Sequence, residues 1–144
     1  MTLYTIGFSG KSAEQFFALL TKNNVKRVLD VRLNNTNQLA GFTKRDDLRF
    51  FLSRVAGIDY VHLPQFAPSS DLLKGYRNHS VTWLEYEGRY LALLAERRAL
   101  ASLDPLMLDG ACLLCSEATP EHCHRRLLAE YLATNVSGVK IVHL

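Results

Sequence analysis

Short runs rich in Val, Ile and Leu alternate with stretches of helical spacing from one end of the chain to the other, and no two-residue hairpin turn joins any two of the runs. Strands that never return through a tight turn must be linked by crossovers. The pattern therefore predicts a mostly parallel sheet with helices on both faces. The runs are Leu3 to Ile6, VKRVLDV, IDYVHL, LMLDGACLLC and GVKIVHL. SAEQFFALL, DDLRFFLSRVAG, VTWLEYEGRYLALLAERRAL and PEHCHRRLLAEYLATN read as the helices between them. Ser12 followed by Gln15 is a capping-box pattern, Gly57 closes the second helix, and the fourth is expected to start with Thr119 at its N-cap and Pro120 at its first position. Residues 64 to 80 show no sustained apolar period and read as one long loop. The expectation is a single three-layer α/β/α domain over residues 1–144, Rossmann-like, around a mostly parallel sheet of about five strands.

A chain of 144 residues is long enough for one full core and too short for two ordinary domains. Its 48% apolar and 22% charged residues exclude a disordered chain. No apolar run approaches the roughly 18 residues needed to cross a bilayer, and MTLYTIGFSG has neither the basic nor the apolar segment of a signal peptide. A cytoplasmic protein with no membrane role is expected. The three cysteines, an odd number in a chain able to bury its own core, read as reduced thiols. A net charge of +3 is far from the dense basic face of a nonspecific nucleic-acid binder, although clusters such as TKRDDLR can concentrate potential in a cleft.

Ligands of parallel sheets bind beyond the carboxyl ends of the strands, so residues that follow a strand carry the functional reading. Gly7 and Ser9 follow the first run, Asp30 and Arg32 end the second, and Cys115 and Glu117 end the fourth. His124 and Arg125 open the helix after that. At roughly 100° per residue, His124 falls near the middle of the face formed by Leu127, Leu128, Tyr131 and Leu132, with Cys123 and Arg125 on its flanks. The free N–H groups of the helix start, helped by Arg125, suit an anion.

Each residue also has an ordinary reading. His124 can be a hydrogen-bonded core residue, Asp30 and Arg32 an ion pair that fixes a loop, and Cys112 a small hydrophobe. Cys112, Cys115, Cys123 and His124 can be written as a zinc set. Residues three apart on a strand point to opposite faces, however, so Cys112 and Cys115 cannot share an ion, and neither a metal nor a cofactor is expected. A phosphatase-type Cys-x5-Arg loop is absent because Glu121 stands six residues after Cys115. GFSG lacks both common nucleotide fingerprints. Lys44, Arg45, Lys74, Tyr76, Arg77 and His79 are further loop residues, of a kind that is usually just solvated.

TIGFSG, VLDVR, GIDYVHLP and LLCSEATPEHCHRRLLAEYL resemble, in order and spacing, the DUF488 family of bacterial and archaeal proteins. The resemblance spans nearly the whole chain, and the C-x-E-x-x-P-x-x-C-H-R signature falls on Cys115, Glu117, Pro120, Cys123, His124 and Arg125. It implies a compact α/β domain and no established reaction. Two departures stand out: Phe8 replaces the histidine of T-I-G-H-S, and the proline after D-V-R is absent. LPQFAP also lacks the family's glycines. Carried over by position, Ser9, Asp30, Arg32, Cys115, Glu117, His124 and Arg125 remain.

The leading expectation is an enzyme, or a former one, with an anion pocket for a phosphate-bearing small molecule or nucleotide. Ser9, Arg32 and Arg125 would bind the ligand. Glu117 or Asp30 would serve as general acid or base, and His124 or Cys115 would transfer a proton or act as nucleophile. The alternative is a noncatalytic module for nucleic acid or a protein partner, in which the same motif is structural. A redox pair of Cys115 and Cys123 is a third reading.

Overall fold

The computed structural model describes residues 1–36 and 41–144. Five strands, β1 (Thr2–Gly7), β2 (Arg27–Asp30), β3 (Asp59–His62), β4 (Ala111–Cys115) and β5 (Lys140–His143), form an all-parallel sheet in the order β3-β2-β4-β1-β5. Among the described residues the α-helices are α1 (Ala13–Lys22), α2 (Arg45–Phe51), α3 (Ser70–Arg77), α4 (Trp83–Glu96) and α5 (His124–Asn135). The expected α/β fold with a parallel five-stranded sheet is what the structure shows.

The sheet is buried from both sides, and its central strand β4 (ACLLC) is accordingly apolar at every position rather than at alternate ones. Leu113 of β4 packs with Leu3, Leu29 and the inner faces of α3, α4 and α5. Its neighbours Cys112 and Leu114 point the other way, into a second cluster with Phe16 and Leu20 of α1 and Leu48 of α2. The adjacent strands β1 and β4 thus send their chains to opposite faces. Such a pair leaves a crevice at the carboxyl edge of the sheet.

Local signals account for most boundaries. Ser12 accepts from the Gln15 N–H at 3.1 Å while the Gln15 side chain accepts from the Ser12 N–H at 2.9 Å, which is the expected capping box. Thr82 caps α4 by accepting from the Glu85 N–H. Gly57 ends the second helical segment in the left-handed region, with φ of 64°, where a side chain is disfavoured.

Two expectations are corrected. Residues 64 to 80 do not form one loop: they hold a 3-10 turn (Pro64–Phe66) and α3, whose first turn is capped by Ser69 accepting from the Leu72 N–H. Eight residues with Gly75 among them give too short a period to see in the sequence. The start of α5 also shifts, from Pro120 to His124, with Cys123 in extended conformation at the N-cap. The stretch before it closes its own turn, in which the Cys123 N–H donates to the Pro120 carbonyl.

Leu113 is 1% exposed in the central strand, so Leu113→Ala should cost about 2–5 kcal/mol. Urea unfolding should show a lowered midpoint with an unchanged slope.

Candidate active site

β1 and β4 are paired so that Gly7 sits opposite Cys115. A Cβ on Gly7 would lie 1.5 Å from the Glu117 carbonyl oxygen, so only glycine lets the chain leaving β4 cross the end of β1. Two further contacts fasten that crossing. The Ser9 N–H donates to the Ser116 carbonyl at 3.0 Å, and an Arg125 guanidinium N–H donates to the Glu117 carbonyl at 2.6 Å. Arg125 also donates to the Thr5 hydroxyl at 3.4 Å. It is 0% exposed, lies behind the crossing, and is not part of the cavity lining.

At the end of β2, Arg32 makes a two-pronged ion pair with Asp30, Nε to Oδ1 at 2.8 Å and Nη2 to Oδ2 at 2.9 Å. The Asp30 carboxylate also accepts from the Arg32 N–H, from Asn35 and from the Tyr60 hydroxyl. Burial pushes the Asp30 carboxyl up, but the Arg32 hydrogen bonds and charge, with the Tyr60 hydroxyl, outweigh it and hold the group below its ordinary range. Asp30 is fully buried and every contact of its carboxylate is directed at Arg32 or its supports. Arg32 is 3% exposed and lines the cavity, with its guanidinium 5.6 Å from the Phe8 ring centre. Its Nη1 has no hydrogen-bond partner among the described residues.

The third group joins the end of β4 to the start of α5. His124 Nε2 is 2.8 Å from the Val31 carbonyl, which can only accept, so Nε2 carries a hydrogen and Nδ1 faces the Cys115 sulfur at 3.6 Å. Cys123, extended at the N-cap, completes the cluster: its sulfur, that of Cys115 and a His124 ring nitrogen all lie within 4.8 Å of one another. The hydrogen bond from Cys123, the His124 charge and hydrogen bond, and the Glu117 N–H hold the Cys115 thiol well below its ordinary range against the effect of burial. Burial lowers His124, but the Cys115 charge and hydrogen bond outweigh it and raise it. Cys123 is raised by its hydrogen bond to Cys115 and by burial. The three directions favour negative charge on Cys115 and positive charge on His124, with the Cys123 thiol as donor to Cys115.

These groups face a cavity of about 940 Å³. One wall carries Phe8, Ser9, Lys11, Arg32, Cys115, Glu117 and His124. The other carries Leu73, Tyr76 and Arg77 of α3, with His79, Tyr86 and His122. The structure brings together Ser9, Arg32, Cys115, Glu117 and His124 at the cavity and sets Asp30 and Arg125 behind it. Of the further loop residues, Tyr76, Arg77 and His79 line the cavity, whereas Lys44, Arg45 and Lys74 are exposed elsewhere. Cys112 lies in the core on the opposite face of the sheet.

Phe8, Lys11, Tyr86 and His122 join the site without having been expected there. Cys123, which the sequence offers as a zinc or redox thiol, reaches the cavity from the N-cap of α5. Tyr86 and His122 belong to an aromatic stack through Trp83, with ring centres 5.2 and 4.8 Å apart, for which the only sequence signal was the aromatic content of VTWLEYEGRY.

The family model described as "Domain of unknown function DUF488" matches residues 12–132. Neither a curated protein nor a solved structure matches the chain.

Because the Asp30 carboxyl is held below its ordinary value of 3.8, it binds fewer protons folded than unfolded near that pH. Its contribution to stability is complete above that value and is lost as pH falls through the folded-state pKa. Asp30→Asn, which leaves the Arg32 charge buried and unpaired, should cost about 3–5 kcal/mol at neutral pH. The gap to the wild type should narrow in strongly acid urea titrations; a gap independent of pH would refute the account. Gly7→Ala should lower the melting temperature by several degrees, since the Glu117 backbone has to move.

Proposed function

Since the chain belongs to the DUF488 family, whose description carries no reaction, we propose a function from the site itself: an enzyme that takes a phosphate-bearing small molecule into the cavity, with Arg32 as anchor and Cys115 as the reacting group. The observation that carries the reading is Arg32. Two of its guanidinium nitrogens are locked by Asp30, and the third, Nη1, is buried in a cavity-lining residue without a partner among the described residues. A guanidinium fixed this firmly presents its remaining N–H groups to a phosphate or carboxylate at little further entropic cost. Lys11, Arg77, His79 and His122 add to the basic character of the lining. Tyr76 and Tyr86 offer ring faces, which suits a nucleotide-like ligand.

In this reading the Cys115 sulfur attacks the electrophilic centre of the bound molecule. A covalent bond forms to sulfur, and the leaving group departs with the proton from His124 Nδ1. Glu117, exposed at the cavity, then takes a proton from a water whose oxygen bonds to the same centre; the bond to sulfur breaks, Cys115 leaves as thiolate with the product freed, and Glu117 gives its proton to solvent while His124 Nδ1 takes one up. The Ser9 hydroxyl contributes a hydrogen bond to the ligand. Asp30 positions Arg32, and Arg125 positions the Glu117 turn. No helix is long and apolar enough to cross a membrane among the described residues, and the reading places the free thiols in a reducing compartment such as the cytoplasm.

A second reading is favoured by Arg125, whose contacts are to Thr5 and the Glu117 carbonyl inside the protein. It takes the motif as a structural network and the basic rim as a surface for nucleic acid or a protein partner.

The test is a thermal-shift panel of nucleotides, sugar phosphates, inorganic phosphate and short oligonucleotides. A phosphate-bearing small ligand at 100 times its Kd should add about 2.7 kcal/mol, a shift of several degrees. Arg32→Lys, which keeps the charge opposite Asp30 and loses the fork, should weaken binding roughly 10- to 100-fold. Cys115→Ala and His124→Ala should bind the ligand and lose turnover. Unchanged affinity in Arg32→Lys overturns the anchor, and turnover surviving in Cys115→Ala overturns the nucleophile. A shift with oligonucleotides alone supports the second reading.

A further inference from the structure

The thiol cluster has a chemistry that an anion pocket does not require. A tetrahedral zinc ion, with sulfur at about 2.3 Å and nitrogen at about 2.0–2.1 Å, holds its donors roughly 3.5–3.8 Å apart. Cys115 Sγ and His124 Nδ1 stand 3.6 Å apart, and all three donor atoms of Cys115, Cys123 and His124 fall within 4.8 Å of one another. A small rotation of side chains closes that set.

The surroundings fit as well. Metal-ligating imidazoles commonly anchor their second nitrogen on a carbonyl or carboxylate, which fixes the ring and leaves the other nitrogen free to coordinate. His124 is anchored in this way on Val31 at 2.8 Å. The donors are two sulfurs and one imidazole with no carboxylate among them, a set that selects thiophilic ions over magnesium or calcium. All three residues are buried yet line the cavity. The thiol that made a zinc set implausible from sequence, Cys112, lies on the other face of the sheet and takes no part.

We infer that Cys115, Cys123 and His124 form a three-donor site for a thiophilic divalent ion of the zinc class, with the fourth coordination position open to the cavity. On loading, two metal–sulfur bonds and one metal–nitrogen bond form, and the protons on Cys123 Sγ and His124 Nδ1 leave to solvent. No electron changes hands. A loaded ion occupies the Cys115 lone pair and the His124 nitrogen together, so it silences the nucleophile; that consequence rests on the proposed function, whereas the binding itself does not.

The experiment is a titration of the full, freshly reduced chain with cobalt(II), followed by competition with zinc. One equivalent of cobalt should produce thiolate-to-metal charge-transfer absorption that zinc abolishes. Cys123→Ser should weaken cobalt binding by more than about 100-fold, beyond the roughly 10- to 100-fold that loss of an outer-shell contact costs, and Cys112→Ala should leave it unchanged. Should Cys123→Ser fail to fold, one equivalent of zinc should still protect Cys115 and Cys123 of the unaltered protein from iodoacetamide, read by peptide mass spectrometry. Absent charge transfer, a band that survives Cys123→Ser, or thiols that alkylate equally fast with zinc present would overturn the site. Arg32→Lys should leave metal binding intact while weakening phosphate binding, so failure of the anion pocket and failure of the metal site give different results.

Discussion

The absent side chain of Gly7 is the constraint on which the site depends. The Glu117 carbonyl occupies the space a Cβ would need, 1.5 Å from its ideal position, so the chain leaving β4 lies directly over the end of β1. That crossing sets where Cys115 ends its strand, where Ser116 meets Ser9, and where the turn before α5 begins. It also explains the burial of Arg125. The guanidinium acts as a strut beneath the crossing, and its hydrogen bonds to the Glu117 carbonyl and Thr5 hydroxyl hold the turn in place.

Two buried arginines are handled by opposite means. Arg32 has a full counter-charge in Asp30, and that carboxylate is itself held by Tyr60 and Asn35. Arg125 has no carboxylate partner among its hydrogen bonds: Nε and Nη1 meet dipoles alone, and Nη2 has no hydrogen-bond partner among the described residues. Burying a charge without a counter-ion is costly. The two arrangements therefore suit different tasks: the paired cation faces the cavity at no net charge cost, while the other stiffens the wall behind it. The positive field of Arg125 still reaches its neighbours, since it depresses His143 and Lys11 after the larger effect of burial.

The sheet was legible because strand and helix leave different apolar periods, and β4, buried on both faces, reads as an unbroken run. The gathering of Ser9, Arg32, Cys115, Glu117 and His124 at one edge follows from parallel topology alone, which brings the carboxyl ends of strands together whatever their order. Two other features were hidden for physical reasons. Thr119 and Pro120 are good helix-starting residues, yet the helix begins at His124, because the extended Cys123 backbone carries its thiol back to Cys115. The far wall was missed because α3 is eight residues long and contains Gly75, whose hydrogen keeps clear of Val81 where a Cβ would sit 2.6 Å from a methyl group. Close packing between distant residues leaves no local period to read.

The position of β1 has a consequence for the order of assembly. It precedes the other four strands of its sheet, and its neighbours there are β4 and β5, whose residues follow it by more than a hundred positions. During synthesis β1 has both hydrogen-bonding edges unpaired until β4 (Ala111–Cys115) emerges. Apolar strands in that state are exposed to association with other chains, and closing so large a loop slows folding. The candidate edge, which needs Gly7 opposite Cys115, is thus formed only after β4 is made, and a chain interrupted before β4 has no trace of it.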